Sequence, residues 1–275
     1  MRLNGKSAIV TGAASGFGQG IATEFAKQGA DVLVADINAE AAETHAKKIK
    51  GIAHKVDVSD NLSVKDMVNH ALSKFGKIDI LVNNAGITHI KAPLEQVSEE
   101  EFDRVISVNA KSVYLTAKHI VPLMKQAKKG SILNVASTAG ISPRANLNWY
   151  NASKGWMITA TKTMAVELAP FGIRTNAICP VAGETPLLKS FMGEDTPIKL
   201  FNRGVSPATG HMALVRIPNG ANSTAIVLVA VIIQPFDALY QFKLARGLIP
   251  AVEATLSIDP FFACFIKGTI CFAVR

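Results

Sequence analysis

Short apolar runs alternate with longer stretches that carry apolar residues at helical spacing. The runs at 7–11, 31–35, 52–56, 78–83, 131–136 and 174–179 have the length and content of buried strands. Between them, 17–29, 39–50, 62–75, 98–126 and 150–171 read as amphipathic helices, with Ile21, Ala22, Phe25 and Ala26 on the inner face of the first. Repeated strand–helix units predict an α/β fold, a mostly parallel sheet covered by helices on both faces. Right-handed crossovers bring the strand ends at Val10, Ala35, Val82 and Val135 to one edge, where open α/β sheets bind ligands.

Candidate chemistry sits at those ends. Thr11-Gly12-Ala13-Ala14-Ser15-Gly16-Phe17-Gly18 joins the first strand to the first helix. Glycines there permit a tight turn and close approach of the backbone to a pyrophosphate, and a helix N-terminus favours the negative charge. A purely structural glycine turn is the alternative. The second strand ends at Asp36, which could bind ribose hydroxyls and would repel a 2′-phosphate. No Arg or Lys lies between Thr11 and Gly20 to hold such a phosphate, so the expected cofactor is NAD(H) over NADP(H). A strand-end surface carboxylate is the alternative for Asp36.

Farther along, Tyr150 and Lys154 stand four residues apart, with Ser137 thirteen residues upstream of Tyr150. On a helix, that spacing puts phenol and ammonium on one face. A phenol titrates near pH ~10, and a fixed cation beside it favours the phenolate. A hydroxyl held beside the phenol could bind the oxygen of a carbonyl or an alcohol.

Together these motifs resemble the short-chain dehydrogenases/reductases over about residues 3–201. Besides the glycine loop and Asp36, the matching positions are Asp57-Val58, Asn83-Asn84-Ala85-Gly86, Asn109, Ser137, Tyr150, Lys154, Pro180 and Thr185. The family's usual Pro-Gly is Pro180-Val181 here. The resemblance implies a Rossmann-type doubly wound parallel sheet in a single domain. It implies cofactor binding by Gly12, Ser15, Gly16, Phe17, Gly18, Asp36, Asp57, Val58, Asn84, Ala85, Gly86, Tyr150, Lys154, Pro180 and Thr185. It implies catalysis by Asn109, Ser137, Tyr150 and Lys154. Ser137 would bind the substrate oxygen and Tyr150 would exchange its proton. Lys154 would lower the phenol pKa and hold the nicotinamide ribose. Asn109 would interrupt its helix and hold a water linking Lys154 to solvent. The stretch from Pro180 to Leu188 further resembles members called 3-oxoacyl-carrier-protein reductases or alcohol dehydrogenases.

Composition changes this picture little. The chain has 275 residues, 49% of them apolar, enough for one large globular core. Cys179, Cys264 and Cys271 form no paired framework, and the six histidines are scattered without ligand spacing, so no metal is expected. His89 follows the Asn83–Gly86 loop; a surface-loop histidine is the preferred reading over one that reaches a substrate. The formal charge of +8 favours anions such as a pyrophosphate. No basic cluster is interleaved with aromatics, which argues against nucleic acid. The first strand begins close to Met1, so no secretory signal is expected. The longest apolar run, 225–233, is shorter than the ~20 residues a membrane span needs. A cytoplasmic enzyme is expected.

The last quarter departs from the family's pattern. The chain divides into a catalytic part, 1–203, and a divergent region, 204–275, with three acidic residues, Asp237, Glu253 and Asp259. The run 224–233 has strong strand propensity and no polar face. This region either completes the sheet and a substrate or oligomer surface, or is a disrupted tail. The family commonly forms tetramers, so a homotetramer is expected. The overall expectation is an NAD(H)-dependent oxidoreductase acting on a small alcohol or ketone. A regulatory protein that binds cofactor without turnover, and an epimerase or dehydratase with bound NAD, are the alternatives.

Overall fold

The computed structural model describes residues 1–180, 213–219 and 223–229. The six expected strands are β1 (Ser7–Thr11), β2 (Asp31–Asp36), β3 (Ile52–Lys55), β4 (Ile80–Asn83), β5 (Gly130–Val135) and β6 (Ile173–Ile178). The helices are α1 (Gly16–Lys27), α2 (Ala39–Ile49), α3 (Asn61–Phe75), α4 (Glu99–Ile106), α5 (Ser112–Ala127) and α6 (Asn148–Leu168). The stretch predicted as one helix over 98–126 is α4 and α5 joined by a π-helical turn, Ser107–Lys111. Pro170 lacks an amide proton, and α6 gives way to a 3-10 turn, Ala169–Phe171, closed by Gly172 at φ 70°.

β1 to β6 are all parallel, in the order β3-β2-β1-β4-β5-β6. β1 to β3 build outward in one direction and β4 to β6 in the other. The topological switch therefore lies between β1 and β4, where Val10 pairs with Val82. Two further strands, β7 (Ala213–Asn219) and β8 (Ser223–Val229), form an antiparallel hairpin. β8 adds parallel to β6, Ala177 opposite Val227. The strand reading of 224–233 is met as far as Val229; residues 230–233 lie outside the described residues.

Strand alternation sorts side chains into two layers. Ile9, Leu33, Leu81 and Ile132 pack with Met67 and Met124 on the α3 and α5 side. Val10, Val32, Val34 and Val82 pack with Ala22 and Ala42 on the α1 and α2 side. Both faces of the sheet are thus buried, which is why the strands read as continuous apolar runs.

Candidate active site

The glycine loop meets the β4 loop at the switch point. Asn84 donates through Nδ2 to the carbonyls of Thr11 and Gly12, at 2.9 and 3.0 Å. The amides of Asn84 and Ala85 both donate to Thr11 Oγ1, at 3.0 and 3.1 Å. This contact leaves no room for a side chain at Gly12 or Gly18. Gly12 has φ +61°, and a Cβ there would lie 2.9 Å from Ala85 Cα. A Cβ on Gly18 would collide with the Asn84 amide and the Gly12 carbonyl.

α1 begins at Gly16, and its N-cap, Ser15, makes no side-chain capping bond. α2, α3 and α4 are capped by Asn38, Asp60 and Ser98. Ser15 and Phe17 are exposed beside it. The start of α1 thus suits an anionic group, the pyrophosphate of a dinucleotide being one. Asp36 is fixed at the end of β2 by the amides of Ala14 and Asn38, each at 3.0 Å. Each carboxylate oxygen keeps further acceptor capacity. Asp57 is exposed and accepts from Ser59 N and Oγ at 2.8 and 2.6 Å, while Val58 is buried.

The second cluster lies past the ends of β4, β5 and β6. Tyr150 and Lys154 share one face of α6 and are each 4% exposed. The Ser137 hydroxyl, just past β5, hydrogen-bonds the Tyr150 phenol. Lys154 donates through Nζ to the Val135 carbonyl at 2.9 Å and lies 5.9 Å from the centre of the Tyr150 ring. Burial lowers Lys154 to a pKa of about 8. Gly86 sits against both polar groups of the cluster: a Cβ there would lie 3.1 Å from Lys154 Nζ and 3.3 Å from Asn109 Oδ1.

Asn109 occupies the π turn and is fully buried. Its Oδ1 accepts from Ile87 N, and its Nδ2 donates to Ile87 O, both at 2.8 Å. The same Nδ2 donates to Ser153 Oγ at 2.9 Å, tying the π turn to α6.

A family model described as short chain dehydrogenase matches residues 6–195. This chain belongs to the short-chain dehydrogenase family. It is 46% identical over 203 residues to 4-formylbenzenesulfonate dehydrogenase of Comamonas testosteroni, covering 72% of this chain and 81% of that protein. It is 43% identical over 192 residues to a 3-oxoacyl-[acyl-carrier-protein] reductase of Thermotoga maritima, covering 68% and 78%. Among solved structures, 3-ketoacyl-(acyl-carrier-protein) reductase from Brucella melitensis, complexed with NADH, is 50% identical with a TM-score of 0.68. That likeness covers 69% of this chain and 80% of the other. The chain is therefore an oxidoreductase of this family with a Rossmann-type α/β fold, and its cofactor is a nicotinamide dinucleotide.

Within this short-chain dehydrogenase, several expectations meet a different environment. Burial raises the Tyr150 pKa, and the Ser137 bond pulls against it. The Lys154 ammonium is anchored on the Val135 carbonyl, 5.9 Å from the centre of the Tyr150 ring. Asn109 does interrupt its helix, but both Nδ2 protons are committed to Ile87 and Ser153. His89 is no surface-loop residue; it is fully buried. Its Nδ1 donates to the Ile90 carbonyl at 2.8 Å, and its Nε2 is buried with no hydrogen-bond partner among the described residues. Pro180 is buried, and its carbonyl accepts from Thr138 N at 3.1 Å. Thr185 lies outside the described residues.

Two features beside the site escape sequence reading. The thiol of Cys179, fully buried after β6, hydrogen-bonds the Ser137 backbone, and burial pushes it up to about 11. Gly140 packs on the first turns of α6, where a Cβ would lie 2.7 Å from Gly155 N and from Lys154 C. Neither carries a local signal, since a lone cysteine and a lone glycine are common in any chain.

Proposed function

We propose that this short-chain dehydrogenase interconverts a secondary alcohol and a ketone with NAD(H), using Tyr150 as general acid/base. The observation that carries this reading is the Ser137–Tyr150 hydrogen bond, with Lys154 buried beside the phenol ring. In oxidation, Ser137 positions the substrate hydroxyl and Tyr150 takes its proton; in reduction, Tyr150 returns the proton to the carbonyl oxygen. The nicotinamide, when bound, accepts or supplies the hydride. With a pKa of about 8, Lys154 is cationic at neutral pH and places a positive charge beside the site where the phenolate forms. Lys154 would also hold the nicotinamide ribose.

Gly12, Ser15, Gly16, Phe17 and Gly18 would hold the pyrophosphate, and Asp57 and Val58 the adenine end. Asn84 supports that cradle from below, since its side chain is bonded to the loop itself. Ala85, Gly86 and Pro180 would line the nicotinamide end, with Thr185 as a further contact. Asp36 would accept from the adenosine ribose and repel a 2′-phosphate, which favours NAD(H) over NADP(H).

A screen for NADH formation and consumption tests the reading on purified protein. It would include secondary alcohols, sugars, β-ketoacyl thioesters and 4-formylbenzenesulfonate, the last two chosen from the names of the relatives. Turnover lost in Tyr150→Phe is the expected result. Absence of wild-type turnover with every class, despite measurable NADH binding, would overturn it.

A further inference from the structure

A line of buried polar side chains crosses the sheet beneath the catalytic cluster. Thr116 of α5 donates through Oγ1 toward Asn83 Oδ1 at 2.9 Å, sharing its proton with the carbonyls of Ser112 and Val113. Asn83 at the end of β4 donates through Nδ2 to Asn134 Oδ1 of β5 at 2.8 Å. Asn134 donates through Nδ2 to Thr161 Oγ1 of α6 at 2.8 Å. Thr161 donates to the Met157 carbonyl at 2.6 Å. Thr116, Asn134 and Thr161 are fully buried, and Asn83 is 4% exposed. Every step runs donor to acceptor in one direction, and Asn83 and Asn134 are direct neighbours in the β4–β5 register.

The placement of these residues gives the line its meaning. Thr116 follows Asn109 by seven residues, and Thr161 follows Lys154 by seven, about two helical turns below the site in each case. Asn83 precedes Asn84, which grips the glycine loop. Asn134 precedes Val135, whose carbonyl holds Lys154, and lies three residues before Ser137. At the level of the site, the π turn that leads into α5 is joined directly to α6 by Asn109 and Ser153. The elements carrying Asn109, Asn84, Ser137 and Lys154 are thus tied together a second time from beneath. Apolar packing alone tolerates small slides of helix on sheet. A polar chain buried in low dielectric does not, because a slide leaves an amide or hydroxyl unpaired.

We propose that Thr116, Asn83, Asn134 and Thr161 act as a positioning chain that sets the distance between Ser137 past β5 and Tyr150 and Lys154 on α6. This rests on the roles given to those residues under the proposed function. The four residues touch neither substrate nor cofactor; they act through the residues above them.

Thr161→Val removes the acceptor of Asn134 while keeping the volume. It should lower kcat at least ~10-fold and leave NAD(H) affinity within ~3-fold, since a misplacement of 1 Å at a reacting centre can cost ~10². Thr161→Ser restores the hydroxyl and loses only the methyl, so it should recover kcat. A Val variant with full kcat and merely a lower Tm would overturn the proposal, as would a Ser variant as impaired as Val. If Val yields no folded protein, Thr161→Ala is compared with Ser, and an Ala variant as active as Ser overturns it. Wild-type protein without turnover would count against the proposed function alone. The chain is then read from the Lys154 titration in lysine-labelled NMR spectra, which should shift in the Val variant and return in the Ser variant. An unchanged Lys154 titration in the Val variant overturns the proposal.

Discussion

Tyr150 and Lys154 are moved by burial in opposite directions, the phenol up and the ammonium down, each toward its neutral form. Alcohol oxidation needs the phenolate, so its rate should climb between about pH 7 and 10, while ketone reduction should not require alkali. A flat profile for oxidation would remove Tyr150 from the role of base. Tyr150→Phe should lower turnover by at least ~10² with NAD(H) affinity nearly unchanged. Stopped-flow and fluorescence titration separate the two quantities, and a variant that keeps a tenth of wild-type turnover would refute the assignment. Asp36 supports a second residue-level prediction: NAD⁺ should bind at least ~10-fold more tightly than NADP⁺, and Asp36→Ala should narrow that ratio. Calorimetric titration showing equal affinities in the wild type would contradict it. At this scale the sequence named the candidate groups, because motif spacing is local. It did not show the burial that raises the phenol, because burial depends on what packs around a residue rather than on its neighbours in the chain.

Between elements, the site depends on how closely the turn after β5 approaches α6. Gly140→Ala would place a methyl 2.7 Å from the α6 backbone at Lys154 and Gly155. Overpacking of this kind costs about 1–3 kcal/mol, and the turn that moves carries Ser137. Turnover should therefore fall more than cofactor affinity, and thermal melts should show lost stability; unchanged kinetics would show that the approach is slack. A different contact makes stability depend on pH. His54 of β3 and His70 of α3 stack at 4.8 Å, and Asp66 lies 3.4 Å from His54. Burial and the His70 charge push His54 below its ordinary 6.5, against the pull of Asp66. Burial does the same to His45 and His119. The folded state thus keeps these rings neutral while the unfolded chain protonates first. Their contribution is complete above the unfolded value of about 6.5 and is lost as pH falls from there through the lowered folded values. Melting temperatures should drop between about pH 7.5 and 5.5, by less in His54→Gln. Identical drops in both proteins would clear His54 of the effect. The helix break at Asn109 was legible only through the family resemblance, since the apolar period runs through it uninterrupted.

Over the whole molecule, the hairpin of β7 and β8 continues the sheet past β6. Truncation after Arg203 would remove both strands and uncover the β6 edge, where Ala177 and Ile178 pair with Val227 and Leu228. An uncovered apolar edge invites association. The truncated protein should be insoluble or inactive, whereas the full chain should behave as a homo-oligomer, a tetramer being the proposed state. Light scattering and activity assays on both proteins check this. A soluble, active monomer after truncation would show that residues 1–203 carry the function alone. Among the described residues, no helix is long and apolar enough to cross a membrane.

The alternation of apolar runs and helical stretches by itself determined the α/β class, and local spacing determined the glycine loop and the Tyr150–Lys154 face. Both are short-range properties: a strand or a helical turn places neighbours a few residues apart whatever surrounds them. Tertiary structure alone decided which strands meet at the switch point and that Lys154 rests on the Val135 carbonyl. It alone buried His89 and joined Thr116 to Thr161 through two strands. Such contacts link residues tens of positions apart, and their chemistry follows from exclusion of water, which exists only once the layers have packed.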